Sequence, residues 1–274
     1  YPADTNDIEK LIQYGEIANH HISNEKKSAI KYYKELYNRQ ILKNIEIATN
    51  LTKAVENNEI YMMFQPQVFL STKEVKGVEA LMRWNSTKLK VFPDEFIPIA
   101  EKTGLIISMG RKGLNIGLED FKKFKEYGLK KIFFNISPKE FYEDDFMGNL
   151  FNEIKKNELN YSEIGIEITE GTLMHDLKKS QTIIKNLRRK DISIGIDDFG
   201  KGHASFEYLN YLDIDVLKID KLFISSLETS SKSQIIVKSI INMANEMGIE
   251  VIAEGIEKES QEKILIDLGC EIGQ

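Results

Sequence analysis

The chain has 274 residues, 42% hydrophobic and 29% charged, which allows one large domain with a sizeable core plus an appendage. Its 37 Lys and Arg stand against 43 Asp and Glu, and the formal charge of −6 disfavours a nucleic-acid polymer as partner, so a phosphate ligand would need local cations. The single Cys270 rules out an internal disulfide or a Cys-rich zinc site and suits a reducing, cytoplasmic compartment.

No run of about 18 apolar residues is present, so no membrane contact is expected of this chain. Opening on YPADTND without a signal peptide, it reads as an excised piece whose membrane anchor, if any, lies upstream. Residues 7–35 read as a helix, with Ile8, Leu11, Ile12, Ala18 and Ile22 spaced for one face. A second helix is expected over about 38–57, carrying Ile41, Ile45, Ala48 and Val55 on one stripe with Leu42, Leu51 and Ala54 beside it. Residues 1–57 thus form an N-terminal helical segment, and the change of pattern places a main domain over 58–274.

From residue 60 onward short β-rich runs alternate with helical stretches: IYMMFQPQVF, VKGVEALMRW, KKIFFNIS, EIGIEITE, ISIGIDDF, VLKID, EVIAEGI and CEIG. Eight such strands predict an α/β fold, a TIM-like (β/α)8 barrel. Only LSTKE separates the first two strands, too short for a parallel crossover, so the first strand should run antiparallel to the second. After CEIG the chain stops at Gln274 without a closing helix.

Chemistry in such barrels sits at the C-terminal ends of the strands. The polar residues there are Glu79, Asn135, Glu167, Glu170, the pair Asp197 and Asp198, Lys218, Glu254, Glu257 and Gln274. One acid at a strand end is an ordinary helix cap. Five or six carboxylates on one mouth would repel one another, and oxygen-only ligands without Cys or His select hard cations such as Mg²⁺, Mn²⁺ or Ca²⁺. Asp198-Phe199-Gly200 spells the kinase DFG, yet no HRD loop or glycine-rich phosphate loop accompanies it. His20 and His21 lie in the leading helix, His175 stands alone and His203 has no partner, which disfavours zinc hydrolysis.

With FQPQ before VEALMRW, and FNIS, EITE, DDFG, LKID and AEGIE after it in order, the chain resembles the EAL-domain cyclic di-GMP phosphodiesterase family over roughly residues 58–274. The leading YPADTNDIEKLIQYGEIANHH is similar to the end of a degenerate GGDEF domain. The resemblance implies hydrolysis of cyclic di-GMP to 5′-pGpG in bacterial second-messenger signalling, with two divalent cations, Mg²⁺ or Mn²⁺, and with Ca²⁺ inhibitory. It implies Glu79, Asn135, Glu167 and Asp197 as ligands of one cation, and Asp197, Asp198 and Glu254 around the second. Gln65, Leu81, Arg83, Glu257 and Gln274 would line the substrate site, and Lys218 would act with Glu79, Asp197 and Glu254 in catalysis. Glu170 would steady the loop after Asp198, and a homodimer is expected. The alternative is a non-catalytic cyclic di-GMP receptor that signals through the N-terminal helices. Departures from the family pattern fall at Lys201, where Thr is more usual, at His203 and Ala204, and in the missing Gly-Tyr tail.

Overall fold

The computed structural model describes residues 5, 7–20, 32, 34–86, 88–201 and 206–274. Two helices come first, α1 (Ile8–His20) and α2 (Glu35–Glu56). The hairpin strands β1 (Ile60–Phe69) and β2 (Val75–Trp84) follow, then α3 (Pro93–Thr103) and α4 (Leu105–Phe124). Next come β3 (Ile132–Asn135), α5 (Pro138–Phe141), α6 (Phe146–Lys156), β4 (Ile164–Thr169), α7 (Glu170–His175), α8 (Leu177–Arg188) and β5 (Ser193–Phe199). The chain finishes with β6 (Val216–Ile219), α9 (Lys221–Ser225), α10 (Ser231–Glu246), β7 (Glu250–Ala253), α11 (Glu259–Asp267) and β8 (Ile272–Gly273).

The eight strands close a barrel in the order of the sequence. β1 runs antiparallel to both neighbours, β2 and β8, and the other strand pairs are parallel. The short LSTKE link enforces this reversal, because a hairpin is all that five residues can make.

Alternate residues of a strand share one face, so positions two apart stack along the barrel interior. Phe69, Phe133, Val216, Ile252 and Ile272 pack together as an apolar floor. Two positions onward in the parallel strands come Asn135, Lys218, Glu254 and Gln274, and in the reversed β1 Gln67 stands two before Phe69. The same step leads from Gly165 to Glu167 and from Gly195 to Asp197. Gly165 makes the floor possible: a Cβ there would lie 2.2 Å from the ring of Phe133, its neighbour in register. A polar layer therefore rests directly on a packed apolar one.

Outside the barrel, apolar residues of the strands and the surrounding helices form the main core, including Ile166, Ile194 and Leu217 against Leu187 and Val237. A second core joins Ile47, Leu51 and Ala54 of α2 to Trp84, Phe96 and Met109. Leu51 is completely buried, and truncating it to Ala would cost about 2–5 kcal/mol.

The leading helices differ from the periodicity reading. Tyr32 and Lys34 are not helical, so α1 does not extend to residue 35; residues 21–31 and 33, including His21 and Ile22, lie outside the described set. On α1, Ile8, Leu11 and Ile12 are exposed; on α2 the buried stripe is Ile47, Leu51 and Ala54, while Leu42 and Ile45 face outward. The physical reason is that α2 buries apolar side chains against the barrel domain in its C-terminal half, while its N-terminal half reaches that domain through an ion pair from Lys43 to Glu95. Among the described residues no helix is long and apolar enough to cross a membrane.

Candidate active site

Lys218 is the centre of the polar layer. Its ammonium, 1% exposed, lies 2.7 Å from Glu167, 2.7 Å from Glu254, 2.9 Å from Glu79 and 3.5 Å from Asp197. These groups come from β6, β4, the residue after β7, β2 and β5, so closure of the barrel brings together residues up to 175 positions apart, Glu79 and Glu254. Burial alone would press the ammonium to lose its proton, but Glu167, Glu79, Asp197 and Glu254 outweigh it and hold the Lys218 pKa well above its ordinary value.

The carboxylates divide by how many donors each receives. Burial raises Glu79, yet Lys218, Gln274 and Asn135 all donate to it and keep its carboxyl below the usual carboxylate range. Burial raises Glu167 far above that range, with Glu79 and Asp197 adding to the effect against Lys218. Asp197 is raised by burial and by its negative neighbours Glu79 and Asp198. Glu254 is pushed up to about 7 by burial, with Asp197 and Glu79 acting against the pull of Lys218. Four carboxylates and one ammonium leave three negative charges uncompensated at full ionisation, which is the electrostatic signature of a cation site.

The acid pair has a different geometry. The backbone N–H of Asp198 donates to Asp197 Oδ1 at 2.9 Å, and Asp198 itself adopts φ +57°, in the left-handed region. The second carboxylate, 40% exposed, is met by Lys201 at 2.6 Å. Oxygen atoms of Asp197, Asp198 and Glu254 lie within 4.8 Å of one another, close enough to share a metal ion. All are hard oxygen donors, so the set fits a divalent cation of the Mg²⁺ class.

The remaining residues singled out from the sequence surround this centre unequally. Leu81, Arg83, Asn135 and Glu167 line a cavity of about 260 Å³ beside β2 and β3. Arg83 donates to the carbonyl oxygen of Met82 at 2.9 Å. Gln65 is in register with Glu79 but stands in the open mouth, and Glu257 is exposed in the segment before α11. Gln274 joins the centre directly through Glu79. Glu170 opens α7 and is buried; its Oε2 and the hydroxyl of Tyr208 have no hydrogen-bond partner among the described residues. His203 and Ala204 lie outside the described residues. The His175 ring lies 5.4 Å from that of Tyr142, tilted by 45°.

Two residues were missed in the sequence. Gln67, fully buried, donates from Nε2 to Gln274 at 3.2 Å and to Glu167 at 3.4 Å. The signal was the alternation in Gln65-Pro66-Gln67, which puts both glutamines on one face. Glu140 is a buried carboxyl at the cavity's far end, where it accepts from the Ser137 backbone N–H at 3.1 Å. Burial pushes it up to about 7, although its hydrogen bonds with Ser137 pull the other way. The stretch Ser137-Pro138-Lys139-Glu140 announces a capping box but not its depth.

Comparison with known proteins bears on the fold and the family. The EAL domain matches residues 48–274, beginning inside α2. Over 273 residues the chain is 30% identical to the bifunctional diguanylate cyclase/cyclic di-GMP phosphodiesterase MucR of Pseudomonas aeruginosa, a match covering 98% of this chain and 40% of that protein. It is 32% identical over 274 residues to the signaling protein YkoW of Bacillus subtilis, covering 98% of this chain and 34% of that protein. The chain thus spans well under half the length of these relatives. A solved structure of the MucR phosphodiesterase in complex with c-di-GMP matches at a TM-score of 0.80 and 32% identity, covering 84% of this chain and 94% of that one. With the ordered motifs, the closed barrel and this match over most of its length, the chain belongs to the EAL-domain family.

Proposed function

We propose that the chain hydrolyses one phosphodiester of cyclic di-GMP, giving linear 5′-pGpG, with the help of two divalent cations, Mg²⁺ or Mn²⁺. The observation that carries this reading is the cluster around Lys218, whose four carboxylates, fully ionised, exceed the local positive charge by three. Glu79, Asn135, Glu167 and Asp197 would hold one cation, and Asp197, Asp198 and Glu254 the other. Bound there, the cations supply an acidified water and neutralise charge on the phosphoryl oxygens.

The chain's own residues do the rest. Arg83 offers paired donors to a phosphate, and Leu81 gives the adjoining cavity an apolar wall for the nucleotide. Gln65, Glu257 and Gln274 border the substrate. Glu170 steadies the turn after Asp198. Lys218, at the centre of the carboxylate cluster, is assigned the role of a donor that orients a water or a phosphoryl oxygen and not that of a general base, since a water held by two cations needs no separate base. A homodimer in the cytoplasm completes the proposal.

The test is to incubate the purified chain with cyclic di-GMP and Mg²⁺ or Mn²⁺ and separate the products. The expected result is 5′-pGpG, lost on chelation, with Ca²⁺ supporting binding but little turnover because it is the larger, weaker Lewis acid. Full activity after exhaustive chelation would overturn the two-cation reading. Tight binding without product would make the chain a receptor.

A further inference from the structure

We infer that Lys201 is a tethered counter-cation that limits how tightly the site formed by Asp197, Asp198 and Glu254 takes up a divalent ion. The inference rests on the two-cation reading above and concerns a side chain to which that reading assigns no role.

Lys201 Nζ lies 2.6 Å from Asp198 Oδ1 and 2.7 Å from Asp220 Oδ2, bridging the two carboxylates. The two anchors are unlike. Asp220 is 2% exposed, follows β6 and caps α9 by accepting the Leu222 backbone N–H at 2.9 Å, so it is fixed in place. The Asp198 side chain is 40% exposed, at the rim, and belongs to the group of three carboxylates whose oxygens lie within 4.8 Å of one another. The backbone N–H of Lys201 donates to the Asp198 carbonyl at 3.2 Å, so the turn itself delivers the ammonium to this carboxylate.

A divalent ion at the site must therefore compete with an ammonium already hydrogen-bonded to one of its three carboxylates, and it must sit near that positive charge. Lys218 also touches two of the three carboxylates, but it is enclosed by the barrel and shared with Glu79 and Glu167. Lys201 differs in being able to surrender Asp198 and keep Asp220. It thus biases the second cation alone and leaves the Glu79, Asn135 and Glu167 half untouched. A residue that only stapled the turn would act with the opposite sign, since its loss would loosen Asp198 and weaken ion uptake.

The experiment titrates the purified chain with Mn²⁺ alone, without substrate, and follows free Mn²⁺ by electron paramagnetic resonance. The wild type should show a tighter and a weaker step. Lys201→Met and Lys201→Gln should tighten the weaker step about tenfold, equivalent to about 1.4 kcal/mol, and leave the tighter step in place. Lys201→Arg should keep the wild-type value. Asp220→Asn, which retains the capping oxygen, should weaken that step further by leaving Lys201 to Asp198 alone. A Lys201→Met chain that takes up two ions where the wild type takes up one would support the inference more strongly. If folded Lys201→Met and Lys201→Gln bind the weaker ion with wild-type or lower affinity, the inference is overturned while the two-cation reading survives. If no variant binds Mn²⁺ at all, both are overturned.

Discussion

Two lysines hold the mouth of the barrel, and they do so by different physics. Lys218 comes from a strand, is 1% exposed and faces four carboxylates; Lys201 comes from a turn, is 39% exposed and faces two. The interior ammonium is held by the closed barrel and has nowhere else to go. The rim ammonium is held by two carboxylates, one buried and one exposed, and reaches solvent itself. The contrast teaches that one site can join a fixed half and an adjustable half across a single peptide bond, the one between Asp197 and Asp198.

The sharpest way to break this contrast is to remove each charge in turn. Without added metal, Lys218→Met should lose about 3–5 kcal/mol of stability, because the buried carboxylates of Glu79 and Glu167 and the half-buried ones of Asp197 and Glu254 lose their shared counter-charge. Lys201→Met should lose less than about 1 kcal/mol, as expected for a partly exposed pair. Urea unfolding of both chains measures the difference, and equal losses would erase it. On the donor role proposed for Lys218, turnover by Lys218→Met should fall by about 10³-fold.

The acid pair gives the next largest effect. On the proposed ligand sets, in which Asp197 serves both cations and Asp198 only one, Asp197→Asn should lower turnover about tenfold more than Asp198→Asn. Steady-state rates in the same metal, on chains shown to be folded, decide it; similar losses would assign the bridging role elsewhere.

Glu140 extends the contrast to a buried carboxyl with no ammonium on it. Its pKa is raised from 4.5 to about 7, so between those pH values the folded chain binds a proton that the unfolded chain has released. Its contribution is then favourable below pH about 4.5 and is lost as the pH rises to about 7, by up to about 3 kcal/mol. Glu140→Gln should match the wild type at pH 4.5 and outlast it in urea at pH 8. A difference that does not change with pH would show that Glu140 stays ionised.

The smallest effect belongs to Gln67. Gln67→Leu should leave stability nearly unchanged and cut turnover about fivefold, the worth of about 1 kcal/mol from one hydrogen bond that orients Gln274. Unchanged turnover would make Gln67 a filler of the barrel.

What could be read in advance follows from what is local. The strands were legible because runs such as EIGIEIT and ISIGID are β-branched and apolar, and the reversal of β1 was legible because five residues cannot cross a barrel. Candidate site residues could be collected from the strand ends. Their pairing could not, because the Lys218 hub depends on registers among five strands. Leu42 and Ile45 show the same limit on a helix: periodicity marks a stripe, but only a neighbour decides which stripe is covered. Lys201 reads as a departure from the family pattern in sequence, and its bridge to Asp220 appears only when β6 ends beside β5.

The antiparallel seam has a consequence in time. β1 closes the barrel against β8 through just two register pairs, Val68 with Gly273 and Phe69 with Ile272. A ribosome delivers β1 about two hundred residues before its second partner, and contacts so distant in sequence are slow to form. Until then β1 presents an unpaired edge and Glu79 lacks the donor from Gln274. The polar layer is therefore complete only once β8 has been made and has paired with β1.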